Sequence, residues 1–121
     1  TNVAERTTPM HEASIVSGLM QILLDQAAKH GVEHVSRVTV KVGKLRSVEP
    51  RALIGCFEMF AEGTIADGAQ LIVESVPIRG HCVDCGAESE ITGFVFRCAR
   101  CQGRKITLIS GEELYIDSFE T

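Results

Sequence analysis

The stretch CVDCGAESEITGFVFRCARC, residues 82–101, decides how this chain folds. It carries two Cys-x2-Cys pairs that are separated by twelve residues, Cys82 with Cys85 and Cys98 with Cys101. Two residues between cysteines allow a tight turn to direct both thiolates at one point. Four thiolates at this spacing predict a tetrahedral, structural zinc site with Zn–S distances of about 2.3 Å.

The sequence around these pairs supports a metal-stapled unit. Residues 80–104 contain four cysteines, four glycines and few large aliphatic residues. Such a stretch cannot build a hydrophobic core alone and needs a staple. We expect the segment 93–96 to form a strand, so that a short hairpin brings the two cysteine pairs together.

Other uses of the four cysteines are less consistent with the sequence. Two disulfides would suit an oxidising compartment, whereas this chain resembles an intracellular protein. A thioredoxin-like redox pair would stand at the start of a helix after a strand. Four thiolates leave no open position on zinc, which argues against a catalytic metal. His81 adjoins Cys82 and is expected to be exposed or beside the ligands; exchange with a cysteine ligand is left open.

Upstream of the cysteines, the chain begins with a segment that lacks periodicity. Residues 1–9 are expected to form a flexible extension, and residues 10–30 a helix with Thr8 as N-cap and Pro9 at its first position. The apolar stripe predicted for this helix consists of Ile15, Leu19, Ile22, Leu23 and Ala27.

The elements that follow alternate between strand and helix patterns. Alternation over 36–45 places Val38, Val40 and Val42 on one face of a strand. A second helix opens at Pro50 and ends at Gly63. Its predicted apolar face consists of Leu53, Ile54, Phe57, Phe60 and Ala61.

The remaining segments complete the predicted fold. Residues 69–78 and 105–120 have strand character, and the latter is expected to rejoin the first sheet. The predicted class is α+β: a small three-stranded sheet with two helices, plus an inserted four-cysteine zinc ribbon. Cys56 is expected in the core of the second helix, and His30 and His34 on the surface.

Bulk properties exclude several functional classes. The 121 residues suit one domain with a small satellite, and 45% hydrophobic content suffices for a core. A net charge of −4 argues against nucleic acid as the main partner. Because no apolar run reaches the length of a membrane span, we expect a soluble, cytoplasmic protein with no membrane partner.

The stretch PMHEASIV, residues 9–16, raises a second metal question. At the start of a helix, backbone N–H groups lack intrahelical acceptors, and such an amide can lose its proton to a Lewis-acidic metal. With the imidazole of His11, adjacent backbone nitrogens would form the planar set that Ni(II) or Cu(II) prefers. The positive end of the helix dipole opposes a cation, and the local sequence alone favours an ordinary helix start over a metal site.

Taken together, several motifs resemble the HypA/HybF family of hydrogenase maturation proteins. They are MHEASI (10–15), VKVGKLRSVEP (40–50), CFEMFAEGT (56–64), the two cysteine pairs, and ISGEELYI (109–116). Their order and spacing also fit, and together they cover essentially residues 10–120. The combination is specific, although each piece alone is not.

The resemblance implies a nickel metallochaperone that contains Ni(2+) and Zn(2+) sites. Residues 10–79 and 105–121 would form a discontinuous nickel-binding α/β domain, and residues 80–104 the zinc-ribbon domain. Nickel would be held by His11, by the backbone nitrogen of Met10, and by Glu12 through its backbone nitrogen or a nearby carboxylate. The zinc ligands would be Cys82, Cys85, Cys98 and Cys101.

The implied partners are the HypB GTPase and the [NiFe]-hydrogenase large subunit precursor, which receives the nickel. Some family members also serve urease maturation proteins, and a homodimer is left open. The chain departs from the common pattern at Ala13 and Ala99, neither of which is a ligand. It also places nine residues before Met10, so that a peptide amide stands where the family offers a free amine. We therefore expect nickel binding to be weaker or altered.

Two other functional classes compete with a metal carrier. Arg97, Arg100, Arg104 and Lys105 form a basic cluster that would suit a zinc-ribbon module for protein or nucleic-acid interaction, although a solvated face is the simpler interpretation. No nucleophile–base pair or open catalytic metal site indicates an enzyme. The segment GKL at 43–45 is not a P-loop, because it lacks the upstream glycine and the Ser/Thr after the lysine.

Overall fold

A computed structural model describes the backbone of residues 3–121 and the side chains from residue 12 onward. The chain divides into two compact units. The first, here the helical unit, comprises Thr1–Val40, Val48–Glu74 and Tyr115–Thr121; the second, the cysteine unit, comprises Lys41–Ser47 and Ser75–Leu114. The predicted division into a nickel-binding domain (residues 10–79 and 105–121) and a zinc-ribbon domain (residues 80–104) remains a prediction.

Helix α1 spans Val3–Lys29 and therefore begins before the predicted start at residue 10. Its predicted stripe is correct for Leu19, Leu23 and Ala27 but wrong for Ile22, whose side chain is 54% exposed. The buried stripe repeats at spacings of three and four residues and consists of Glu12, Val16, Leu19, Met20, Leu23 and Ala27. The sequence of α1 contains two overlapping apolar stripes, one with Ile22 and one with Met20. In the folded unit, where α1 packs against the second helix, the stripe with Met20 is the buried one.

The helical unit contains strands that form a three-stranded sheet. Strand β1 is Arg37–Gly43, β2 is Gln70–Val76 and the last strand, β6, is Leu114–Glu120, in the order β2-β1-β6. The predicted alternation of β1 is confirmed, because Val38, Val40 and Val42 are all buried. Gln70 N donates to Ser36 O at 3.0 Å where both strands begin, so β1 and β2 run in the same direction.

Helix α2, Pro50–Ala61, connects these two strands. Glu49 is its N-cap, and the Glu49 carboxylate accepts a hydrogen bond from Arg51 N at 2.8 Å. The buried face is Leu53, Phe57 and Ala61. Phe60 is exposed and Cys56 is half-buried, so both predictions of core positions there are wrong. Each of these two positions lies about 100° around the helix from the next, buried residue, Phe57 or Ala61, and in α2 this places it at the edge of the buried face or beyond it.

The cysteine unit contains a second sheet. It consists of β3 (Arg79–Cys82), β4 (Glu88–Glu90) and β5 (Ile106–Ser110) in the antiparallel order β4-β3-β5. The predicted final strand segment is thus split, and only β6 joins the first sheet. The predicted strand at 93–96 is wrong: Gly93 and Phe94 have φ values of 62° and 58°, which form a turn and not an extended strand.

Two of the motifs that carry the family resemblance meet within the cysteine unit. After β1, the 3-10 helix Lys44–Arg46 lies beside the turn before β6. Leu45 N donates to Gly111 O at 2.9 Å, and Arg46 Nε donates to Glu112 O at 2.8 Å. A Cβ at Gly43 would overlap the backbone of Gly111, so only glycine permits this approach. Separately, no helix in the described part of the chain is long and apolar enough to cross a membrane.

Candidate metal centre

The four cysteines of the two pairs converge in the cysteine unit. All four sulfur atoms lie within 4.8 Å of one another. Two of the separations, Cys82 Sγ to Cys101 Sγ and Cys85 Sγ to Cys98 Sγ, are both 3.6 Å. Four sulfurs bound to one zinc at about 2.3 Å would form a tetrahedron with edges of about 3.8 Å. The donor set therefore fits zinc in both identity and spacing.

The two Cys-x2-Cys turns repeat one backbone geometry. In each, the first cysteine N–H donates to the carbonyl five residues later, and its own carbonyl accepts from the N–H four residues later. Each turn is closed by a residue with left-handed backbone, Gly86 (φ 79°) in the first and Gln102 (φ 65°) in the second. The four bonds are Cys82 N to Ala87 O at 2.8 Å, Gly86 N to Cys82 O at 2.8 Å, Cys98 N to Gly103 O at 2.8 Å, and Gln102 N to Cys98 O at 2.9 Å.

Backbone N–H groups also act on the sulfur of Cys98. The N–H groups of Cys101 and Arg100 each donate to Cys98 Sγ at 3.4 Å. These bonds stabilise the thiolate and lower the pKa of Cys98 to about 6. In the metal-free cluster, Cys98 therefore loses its proton more readily than Cys85 and Cys101, whose pKa values are raised.

The two exposed thiols, Cys85 and Cys101, resist deprotonation. Gly103 N donates to Cys101 Sγ and lowers the pKa of Cys101, but the nearby thiols of Cys82 and Cys85 outweigh it and raise that pKa to about 12. The Ala87 N–H likewise lowers the pKa of Cys85, but desolvation and the Cys98 thiol raise it above the ordinary value. A bound dication would remove this repulsion between neighbouring sulfurs, so metal binding and proton release are coupled here.

Burial differs within each pair. Cys82 and Cys98 are each only 1% exposed, whereas Cys85 and Cys101 face solvent. His81 Nδ1 lies 3.8 Å from Glu88 Oε2 across β3 and β4, and both side chains are largely exposed. His81 is thus placed on the side of the strand opposite to the buried Cys82.

The second predicted metal site lies largely outside the described side chains. The side chains of Met10 and His11 fall outside them, although their backbone belongs to α1. Glu12 is described and is completely buried. Its Oε2 accepts a hydrogen bond from Glu49 N at 3.3 Å, at the N-terminus of α2, and its Oε1 has no hydrogen-bond partner among the described residues.

The sequence analysis did not predict that Glu12 is buried and contacts the N-terminus of α2. The signal was available, since Glu12 stands four residues before Val16 on the buried stripe of α1. A carboxylate at a helix N-terminus is stabilised by the unpaired N–H groups and the helix dipole. Glu12 therefore ties the PMHE segment to α2. Exposed His30 and His34 are on the surface as predicted.

Known proteins match this chain over nearly its whole length. The family model described as "Hydrogenase/urease nickel incorporation, metallochaperone, hypA" matches residues 10–121. Hydrogenase maturation factor HypA of Desulfitobacterium hafniense is 39% identical over 111 residues, which are 92% of this chain and 97% of that protein. The same factor from Acidithiobacillus ferrooxidans is 38% identical over 92% of this chain and 98% of its own length.

Two solved structures share the fold. The solution structure of the Ni metallochaperone HypA from Helicobacter pylori aligns with a TM-score of 0.67 at 23% identity, over 91% of this chain and 96% of that chain. A second solution structure, of a HypA protein, gives a TM-score of 0.70 at 24% identity, over 93% of this chain and 96% of that chain. These likenesses confirm the predicted α+β fold with its four-cysteine ribbon.

Proposed function

Because this chain belongs to the HypA family of hydrogenase and urease nickel-incorporation metallochaperones, we propose that it carries Ni(II) to the [NiFe]-hydrogenase large subunit precursor. Membership confirms the resemblance that the sequence motifs indicate. The family consists of metallochaperones and not enzymes, and its role places the chain within the hydrogenase maturation machinery. The observation that carries the proposal is the match over residues 10–121, which begins at the Met-His-Glu motif.

The four-cysteine cluster is proposed to hold a structural zinc through Cys82, Cys85, Cys98 and Cys101. Their four sulfurs lie at separations close to tetrahedral edges and complete the coordination of one ion. The small second sheet has little hydrophobic core of its own. When bound, zinc would cross-link the two cysteine turns and so stabilise this unit in place of a larger core. Its binding free energy would be folding free energy for this unit.

Nickel is cargo and is proposed to bind at the start of the family match. His11 would supply an imidazole, and Met10 and Glu12 would supply backbone nitrogens. The Glu12 side chain is completely buried and its Oε2 accepts from Glu49 N at 3.3 Å, which supports a holding role for this oxygen, while Oε1 keeps its capacity to accept. Fixing Glu12 in this way fixes the backbone that leads to His11.

The nine residues before Met10 bear directly on this site. Met10 lies more than one turn inside α1, which begins at Val3, so its N–H is at a helix-interior position where an intrahelical acceptor is expected. Nickel binding through that nitrogen would require both deprotonation and local unwinding. We therefore propose that this chain binds nickel more weakly than a chain that begins at Met10.

Partners follow from the family role. We propose that a HypB-type GTPase acts with this chain, since no phosphate-binding loop occurs in its sequence, and that transfer takes place in the cytoplasm. Urease maturation proteins are a second destination that the family description itself supports. A homodimer stays a proposal as well.

The test is a titration of the zinc-loaded chain with Ni(II), in which calorimetry and absorption spectra measure nickel binding. The variant is His11→Ala, and the matched control is His30→Ala, which removes an exposed histidine at the other end of α1. We expect nickel binding to be lost only with His11→Ala. Equal binding by all three proteins would refute the N-terminal site. A chain that begins at Met10 then measures how much the preceding residues weaken it.

A further inference from the structure

The loop between β4 and the second cysteine pair exposes apolar side chains. In this segment, residues 92–97 and here named the ribbon loop, Phe94 is 53% exposed, Val95 59% and Phe96 39%. Three consecutive exposed apolar residues are unusual on a soluble protein and typically mark an interaction surface. The preceding residue, Ile91, is only 6% exposed and anchors the loop to the unit.

The ribbon loop is held in a defined shape. Val95 N donates to Thr92 O at 3.3 Å, and Arg97 N donates to Val95 O at 3.0 Å. Phe94 has a φ of 58°, in the left-handed region that bulky residues rarely adopt. The fold thus accepts both backbone strain and the exposure of an aromatic ring at the same residue. Strain that persists in this way is concentrated at functional positions.

Positive charge is concentrated in the same part of the unit. Residues 94–105 hold four of the twelve lysines and arginines of the chain and no aspartate or glutamate. These four side chains are Arg97, Arg100, Arg104 and Lys105, all exposed. None of them makes a side-chain hydrogen bond or ion pair with the described part of the chain. Four thiolates around one dication would contribute two negative charges, so the segment stays positive when a metal is bound.

A cleft adjoins the loop. It has a volume of about 290 Å³, and its lining consists of Glu90, Ile91, Thr92, Val95, Arg97, Cys98, Ala99 and Gln102. This volume accommodates one large side chain and lies at the lower end of the range for small-molecule sites, which begins at about 300 Å³. The apolar wall from Ile91 and Val95 favours an apolar side chain in the cleft. Arg97, which belongs to the basic segment 94–105, favours a carboxylate on its side of that anchor, whereas Glu90 disfavours a carboxylate on the opposite side.

We propose that the ribbon loop is a docking surface for a partner protein and that it binds a segment with an apolar anchor flanked by Asp or Glu. The anchor would pack on Phe94 and Phe96 and enter the cleft, and the carboxylates would pair with Arg97 and Arg100. Aromatic and arginine side chains are the residues that dominate protein interfaces. The proposal goes beyond the nickel function and does not depend on it, because every residue concerned lies in the cysteine unit.

Single-stranded nucleic acid is the main rival, since aromatic rings beside arginines also stack bases. Charge favours a protein. The chain as a whole carries −4, and Glu88 and Glu90 on the neighbouring strand β4 are exposed. A polyphosphate backbone would meet this repulsion along its length, whereas a short acidic segment needs only two of the four cations. The exposed Val95 and the apolar wall that it forms with Ile91 also offer packing that a base does not require.

The experiment uses the full zinc-loaded chain without nickel and a phage-displayed library of random 12-residue peptides. One variant combines Phe94→Asn with Phe96→Ser; asparagine tolerates the left-handed backbone, so the loop keeps its shape. A second combines Arg97→Glu with Arg100→Glu. The controls are Ile109→Ser, an exposed apolar residue of β5, and Arg51→Glu, an exposed cation of α2. Zinc content and circular dichroism verify that each variant is folded.

The wild-type chain should enrich peptides in which Asp or Glu flanks Leu, Ile, Phe or Trp. Synthetic copies of these peptides should bind each double variant at least about tenfold more weakly, equivalent to about 1.4 kcal/mol, and bind both controls unchanged. Their affinity should fall with salt. Three results would overturn the proposal: no enrichment over the variants, enriched peptides without acidic residues, or salt-dependent retention on a single-stranded oligonucleotide that both double variants abolish.

Discussion

Gly103→Ala gives the sharpest test of the proposed zinc cluster. A Cβ at this position would lie 2.9 Å from Asp84 Oδ2, 3.2 Å from Cys101 Sγ and 3.5 Å from Cys82 Sγ. Gly103 is not among the residues with positive φ, so alanine brings no backbone strain here. The contact with Cys82 Sγ is an ordinary van der Waals distance, so the added methyl group acts on the cluster by crowding one proposed ligand, Cys101.

The size of the effect follows from which neighbours can move. Asp84 is exposed and its flexible side chain can rotate away at little cost. Cys101 Sγ would have to shift by a few tenths of an ångström, and this shift would strain both its metal bond and the hydrogen bond from Gly103 N, now 3.4 Å. Changes around metal ligands typically cost 10–100-fold in affinity, and we expect about tenfold, or about 1.4 kcal/mol.

Competition with a chromophoric zinc chelator measures this loss directly. The matched control is Gly55→Ala in α2, where a Cβ would meet nothing within 4 Å. It should leave zinc affinity unchanged and raise the free energy of unfolding by about 0.5–1 kcal/mol, as expected for glycine in a helix interior. If Gly103→Ala binds zinc as tightly as the unchanged chain, the four sulfurs do not hold zinc in the geometry described.

Three other predictions concern the same two regions. Zinc affinity should fall by at least about 100-fold per pH unit from pH 8 to pH 6, because Cys85 and Cys101 have raised pKa values and must each release a proton. The fall should steepen below about pH 6, where Cys98 also becomes protonated. Calorimetry in two buffers with different ionisation enthalpies counts the protons released on zinc binding. Gln102→Gly should raise the unfolding free energy by about 1 kcal/mol in urea titrations, since it relieves a left-handed backbone at φ 65°; no change would mean that the turn is not strained. Glu12→Ala should lower the unfolding free energy by about 1–3 kcal/mol, because Glu49 N loses its acceptor, whereas Glu12→Gln retains an acceptor and should cost less; equal effects would contradict this.

Patterns with one strong period were predictable from the sequence, and those that depend on packing partners were not. Val38, Val40 and Val42 follow a strict alternation, which permits only one buried face. In α1, by contrast, Ile22 and Met20 belong to overlapping stripes, and the tertiary packing of the helix decides that Met20 is buried and Ile22 is exposed. Local periodicity carries no information about that choice.

The ribbon shows a related limit. The segment 93–96 has strong β propensity, yet Gly93 and Phe94 adopt positive φ values and form a turn. The four cysteines were predicted to converge, and they do so without the expected hairpin strand at this point. Strand propensity reflects how a side chain fits a pleated, half-buried surface, and these exposed residues have no such surface. The convergence follows instead from the two repeated cysteine turns, whose spacing is visible in the sequence.

The two proposed metal sites differ chemically in the way their roles require. A permanent structural ion needs a closed shell, and four thiolates, two of them on buried cysteines, supply it. A cargo ion must leave, which favours a site with few protein side chains, and local unwinding of α1 around Met10 would open and close it. Soft sulfur ligands suit zinc, whereas imidazole and amide nitrogens suit Ni(II), so the two ions would be sorted by ligand type within one chain. Glu12 anchors α1 to the N-terminus of α2 at 3.3 Å, and this contact would limit how far the helix unwinds when the nitrogens upstream of it take up or release nickel.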